Sequence, residues 1–141
     1  MRFMIIVKAT ADSETGCFRP EQEAVFAAMA TYHEELARAG VLLDGTGLHP
    51  SSKGWRIRYE EGDRRTVVDG PFTQTKELIA GYTLIQVRTR EEALEWTRRF
   101  PNPVGEGMPC EVEVRQLYEA EDFEPAVSDA TLQRFRDIGM G

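Results

Sequence analysis

The sequence predicts an α+β fold of the ferredoxin-like type, with a largely antiparallel sheet and two main helices on one of its faces. Three observations predict it. One strongly periodic helix, near 20–39, follows a short apolar strand; several strand-like runs come next; then one more helix and one more strand close the pattern. Helices this sparse, set against this many strands, pack together on one face of an antiparallel sheet. An extra hairpin between residues 55 and 68 is added to that plan.

Each element has its own signal. Phe3 to Val7 is apolar and bounded by Arg2 and Lys8, which predicts a buried first strand. Residues 10–18 are polar, contain Gly16 and read as a loop. Pro20 suits a first helical turn, where its missing N–H is not needed, and Glu21 and Glu23 suit the positive end of the helix dipole. Val25, Met29, Tyr32 and Leu36 then form one apolar stripe, with Ala28 and Ala39 beside it, and Gly40 stops the helix.

Val41-Leu42-Leu43 starts a second strand that Gly45, Gly47 and Pro50 loosen. Trp55, Ile57 and Tyr59 alternate with Arg56, Arg58 and Glu60, which predicts one buried and one wet face. Glu61-Gly62-Asp63 turns the chain, and Thr66-Val67-Val68 returns as the hairpin partner. Leu78 to Val87 is a longer strand, with Gly81 as a bulge or close-packing point. Thr89 and Glu92 have capping-box spacing ahead of a second helix that Pro101 and Pro103 end. Residues 111–118 alternate as a last strand, and Ser128 to Ile138 is a candidate short helix in an acidic tail. That tail is expected either to pack on a partner subunit or to be mobile.

Bulk properties narrow the function. A chain of 141 residues suits one domain. It can bury roughly 70% of its unfolded surface, enough for a core without disulfides or metal. The net charge of −7 disfavours direct nucleic-acid contact and anionic membranes. The basic cluster Arg56, Arg58, Arg64 and Arg65 reads as a solvated hairpin face, with a small anion as the alternative ligand. No apolar stretch approaches the roughly 20 residues of a spanning helix. Cys17 and Cys110 have neither Cys-x-x-Cys nor zinc spacing, so a reducing, cytoplasmic location is expected. No His/Asp/Glu cluster has local metal spacing, and no cofactor motif appears; Gly45-Thr46-Gly47 lacks the third glycine of a nucleotide fingerprint.

His33 lies at the edge of the helical apolar stripe, close to Phe26 and Gln22. It reads either as a general base or as a boundary histidine satisfied by hydrogen bonds. His33-Glu34-Glu35-Leu36-Ala37 is not a zinc-protease motif, because position 37 is alanine. His49 precedes Pro50 in a polar loop and reads as a surface residue. In Asp69-Gly70-Pro71-Phe72, Asp69 suits a turn, Gly70 a positive φ and Phe72 a core plug; the functional alternative is a carboxylate at a pocket mouth. Lys76 and Glu77 follow as an anion-binding pair or an ion pair.

The string Asp69-Gly70-Pro71-Phe72-Thr73-Gln74-Thr75-Lys76-Glu77 resembles the motif of the YCII-related, or DGPF-domain, family. The first strand, Tyr32-His33-Glu34-Glu35-Leu36 with Gly40-Val41-Leu42-Leu43, Glu91 to Trp96, and Val112-Glu113-Val114-Arg115 agree with it. The resemblance covers residues 1–118 and leaves 119–141 as a C-terminal tail. It implies a dimeric α+β barrel, that is, a homodimer. It also implies one of two roles: a small-molecule site with a His–Asp pair, or an accessory module linked to an extracytoplasmic-function sigma factor. The family's histidine near the start of the first helix is absent here, where the chain reads Arg19-Pro20-Glu21-Gln22. The candidate site is therefore His33 and Asp69 for acid–base work, with Lys76, Glu77 and Tyr32 against the ligand.

Overall fold

Strand β1 (Arg2–Lys8) lies inside a four-stranded antiparallel sheet with β2 (Leu42–Gly47), β5 (Ile79–Gln86) and β6 (Val112–Gln116), in the order β2-β5-β1-β6. This computed structural model describes residues 1–73 and 75–140. Two helices, α1 (Glu23–Arg38) and α2 (Arg90–Arg98), join the strands in ferredoxin-like order. A separate ribbon of β3 (Trp55–Tyr59) and β4 (Arg65–Asp69) is inserted between β2 and β5, and α3 (Asp129–Asp137) lies in the tail.

Alternation along the strands sorts the two faces. Phe3, Ile5 and Ile85 point to one side and meet Tyr32, Leu36 and Ala93 of the helices in the main core. Ile5, Leu36 and Ile85 are fully buried there. Met4, Ile6, Tyr82 and Leu84 are half-buried and point to the other side.

Local chemistry sets the ends. Pro20–Gln22 forms a 3-10 turn ahead of α1, and the Arg19 N–H donates to the Gln22 side chain at 2.7 Å. After α1, Gly40 takes a left-handed φ of 74°. The Glu92 N–H donates to the Thr89 hydroxyl at 3.1 Å, while the Glu92 carboxylate reaches the Arg88 N–H rather than that of Thr89.

Three expectations change. Trp55, Ile57, Tyr59 and Val67 share a face of the ribbon but are 49–66% exposed, because β3 and β4 pair only with each other and no layer of the described residues covers them. Phe72 does not plug the core: it is half-buried, with the Arg56 guanidinium stacked 3.8 Å from its ring centre. Gly70 is not required by a positive φ. A side chain there would overlap the carbonyl of Ser51, whose hydroxyl accepts from the Phe72 N–H at 2.9 Å.

The tail folds back on its own chain. Arg2 pairs bidentately with Glu119 at 3.0 Å, and Ala120 and Leu132 are buried. Ser128 caps α3 through the Thr131 N–H.

Tyr32 supplies a pH-dependent part of stability. Its ring is buried and its hydroxyl donates to the Trp96 carbonyl at 2.7 Å. Burial pushes its pKa up from 10.0 to about 12, with Arg99 opposing the rise and Glu35 adding to it. The folded value exceeds the unfolded one, so this contribution is complete below pH about 10 and disappears as pH climbs towards about 12. Denaturant titrations across that window should show a loss of about 2–3 kcal/mol in the wild type that Tyr32→Phe does not share. An equal loss in both proteins would remove Tyr32 from the explanation.

Candidate ligand-binding site

A cavity of about 780 Å³ lies between α1, residues 10–19 and the β2–β5 side of the sheet. Its cause is readable in the strands. Thr83 points to the helix side of β5, and its neighbours in that row are Gly45, Gly47 and Gly81. Three glycines leave the sheet without side chains where α1 crosses it. Gly81 is fixed by close approach as well, since a Cβ there would lie 2.9 Å from the Thr46 carbonyl.

Gln22, just ahead of α1, and Phe26, Met29 and His33 on it follow at helical spacing and form the opposite wall. Val25 and Met29, read from the sequence as core, are half-buried and line this cavity instead. Phe18 and Phe26 meet edge to face at 5.5 Å between ring centres, and Phe100 closes the far end. Segment 10–19 is tied down at both ends. Arg19 holds Asp12 bidentately at 2.9 and 3.0 Å, and the Glu14 carboxylate accepts from the Ser51 N–H at 3.1 Å and from its hydroxyl. The pairing lowers the Asp12 pKa through its hydrogen bond to Arg19.

His33 forms the polar point of the wall. Its Nδ1 lies 2.7 Å from the Met29 carbonyl oxygen and its Nε2 lies 2.8 Å from the Thr83 hydroxyl. A carbonyl only accepts, so Nδ1 carries the proton in the neutral ring. Nε2 then holds a lone pair and accepts from Thr83. The Phe100 ring, 6.4 Å away and steeply inclined, backs the imidazole. The arrangement is a base of defined tautomer beside a hydroxyl that is 3% exposed, next to a largely apolar space.

The model of the YCII-related domain matches residues 1–118. The chain belongs to the YCII-related family. An uncharacterized protein of Rhizobium meliloti (strain 1021) is 31% identical over 84 residues, spanning 60% of this chain and 67% of that protein. A solved structure, the 5-chloro-2-hydroxyhydroquinone dehydrochlorinase of Burkholderia phenoliruptrix AC1100 in complex with 2,5-dihydroxybenzoquinone, is 15% identical. It aligns over 86% of this chain and 98% of its own with a TM-score of 0.42.

In this YCII-related chain, the residues singled out from the sequence fall in three places. His33 lines the cavity. Tyr32, its neighbour, points into the core and is committed to Trp96. Asp69 ends β4, exposed, and Lys76 and Glu77 lie exposed in a 3-10 turn over Thr75–Glu77; none of these three lines the cavity. His49, read as a surface residue, is exposed and lies on the cavity wall. Thr83, Gly45 and Gly47 were not singled out. Their signal was the alternation of small residues on two strands that pair only in the folded chain. No group of three or more His, Cys, Asp or Glu side chains among the described residues is placed to hold a metal, and no described helix is long and apolar enough to cross a membrane.

Proposed function

We propose that this YCII-related protein binds a small molecule in the cavity beside His33 and acts on it by acid–base chemistry. The observation that carries the proposal is the hydrogen-bond chain from Met29 carbonyl through the His33 ring to the Thr83 hydroxyl. It leaves a lone pair on Nε2 one hydroxyl away from the ligand space. A ligand hydroxyl can pass its proton to Thr83 Oγ1 as the Thr83 proton moves to Nε2, leaving an oxyanion and an imidazolium. Arg19 on the wall supplies positive charge near such an anion, already shared with the Asp12 carboxylate. Asp69, exposed at the end of β4, is outside this scheme.

The test is an NMR screen of small metabolites that follows the His33 ring, Thr83 and Gly45. A compound that moves all three together supports the reading. Ligands that move only the β3–β4 ribbon would overturn it.

The ribbon supports a second reading. Trp55, Tyr59 and Val67 are each more than 60% exposed on one face, as a protein-contact surface would be. On that reading the chain is a non-catalytic accessory module, for example of an extracytoplasmic-function sigma factor, and a pull-down that depends on Trp55 tests it.

We also propose a homodimer through the sheet face of Met4, Ile6, Tyr82 and Leu84, which α1 and α2 leave uncovered. Sedimentation equilibrium should show a dimer for the wild type and a monomer for Ile6→Glu. A monomeric wild type would refute it.

A further inference from the structure

We infer that Gly45 admits the ligand to the His33–Thr83 pair, and that the group admitted is a hydrogen-bond donor, a hydroxyl on an apolar ring. The inference rests on the small-molecule reading above and adds the ligand's chemistry and the residue that selects it. Two observations carry it.

The first is a count of protons. Nδ1 must donate to the Met29 carbonyl, so neutral His33 offers only a lone pair at Nε2. The single Thr83 proton goes to that lone pair at 2.8 Å. What remains free on the Thr83 oxygen is acceptor capacity. A ligand meeting this atom must therefore donate; an ether or a ketone finds no proton there.

The second is the space beside the pair. A Cβ on Gly45 would lie 3.5 Å from His33 Cδ2, 3.5 Å from His33 Nε2 and 3.5 Å from Thr83 Oγ1. These are ordinary contact distances, so a methyl group fits without moving the fold, and Gly45 has no positive φ to defend. The same methyl would stand over both polar atoms. Glycine at this position is what leaves them open. The wall beyond them is more apolar than polar, with Phe18, Phe26, Phe100 and Leu48 beside the mutually paired Arg19 and Asp12, which suits an apolar ring.

The experiment uses three ring compounds of similar size, toluene, anisole and phenol, titrated by NMR into the wild type and Gly45→Ala. A long-range 1H–15N spectrum first establishes that His33 is neutral and keeps its Nδ1–H form in both proteins. Phenol should bind the wild type about tenfold more tightly than anisole, the worth of one hydrogen bond in a dry site. In Gly45→Ala that preference should vanish while toluene still binds. Equal phenol and anisole affinities in the wild type would overturn the inference and spare the cavity. A phenol preference that survives in Gly45→Ala would overturn the assignment of Gly45. Failure of all three compounds to bind the wild type would overturn the small-molecule reading, and this inference with it.

Discussion

Gly70→Ala is expected to destabilise the protein by about 2–3 kcal/mol, measured as a lower denaturant midpoint at unchanged slope. The added methyl would overlap the Ser51 carbonyl, which is backbone and cannot swing away. Gly70 is also hydrogen-bonded through its N–H to the Gly54 carbonyl at 3.0 Å, so both sides of the turn resist a shift. Ser51 in turn accepts from the Phe72 N–H and holds the Glu14 carboxylate. The Asp69–Phe72 turn is therefore a structural clamp that reaches the 10–19 wall of the cavity through one serine. Asp69→Ala, which removes an exposed side chain, should cost well under half as much. Near-neutral stability of Gly70→Ala would show that the turn is not packed as described.

His33→Ala should have the largest functional effect. It removes the imidazole that faces Thr83 and leaves that buried hydroxyl without its acceptor, a cost of about 1–3 kcal/mol in stability. Any turnover found for this chain should fall by about 10²–10⁴-fold, the usual contribution of a positioned acid–base group. Thr83→Val is the matching control. It keeps volume and removes the hydroxyl, so it should reduce turnover while leaving the ring seated against Phe100. Turnover that survives both changes would place the chemistry elsewhere.

Much of the fold was legible because local signals agreed with tertiary needs. The β1 run, the α1 helix with its stop at Gly40 and the Thr89 cap each act over a few residues, and the structure keeps them. The ribbon misled for a physical reason. Alternation in Trp55, Ile57 and Tyr59 predicts a covered face only if another layer lies against it, and among the described residues none does. The site was half legible. His33 could be picked out as a histidine at the edge of an apolar stripe beside Phe26 and Gln22, all three of which line the cavity. Thr83 could not, since fifty residues separate it from His33 and only sheet pairing brings it there. Gly45 and Gly47 read as loop residues because a strand of glycines has little β propensity. Pairing with β5 holds them extended, and their missing side chains make the cavity.

The central claim is that the His33 cavity holds a small molecule, and a thermal-shift screen of the wild type and His33→Ala tests it most directly. At a hundredfold excess over its dissociation constant a bound ligand stabilises the folded state by about 2.7 kcal/mol. The account predicts at least one metabolite that raises the melting temperature of the wild type and of Asp69→Ala but not of His33→Ala. Hits that stabilise His33→Ala as strongly as the wild type would contradict it.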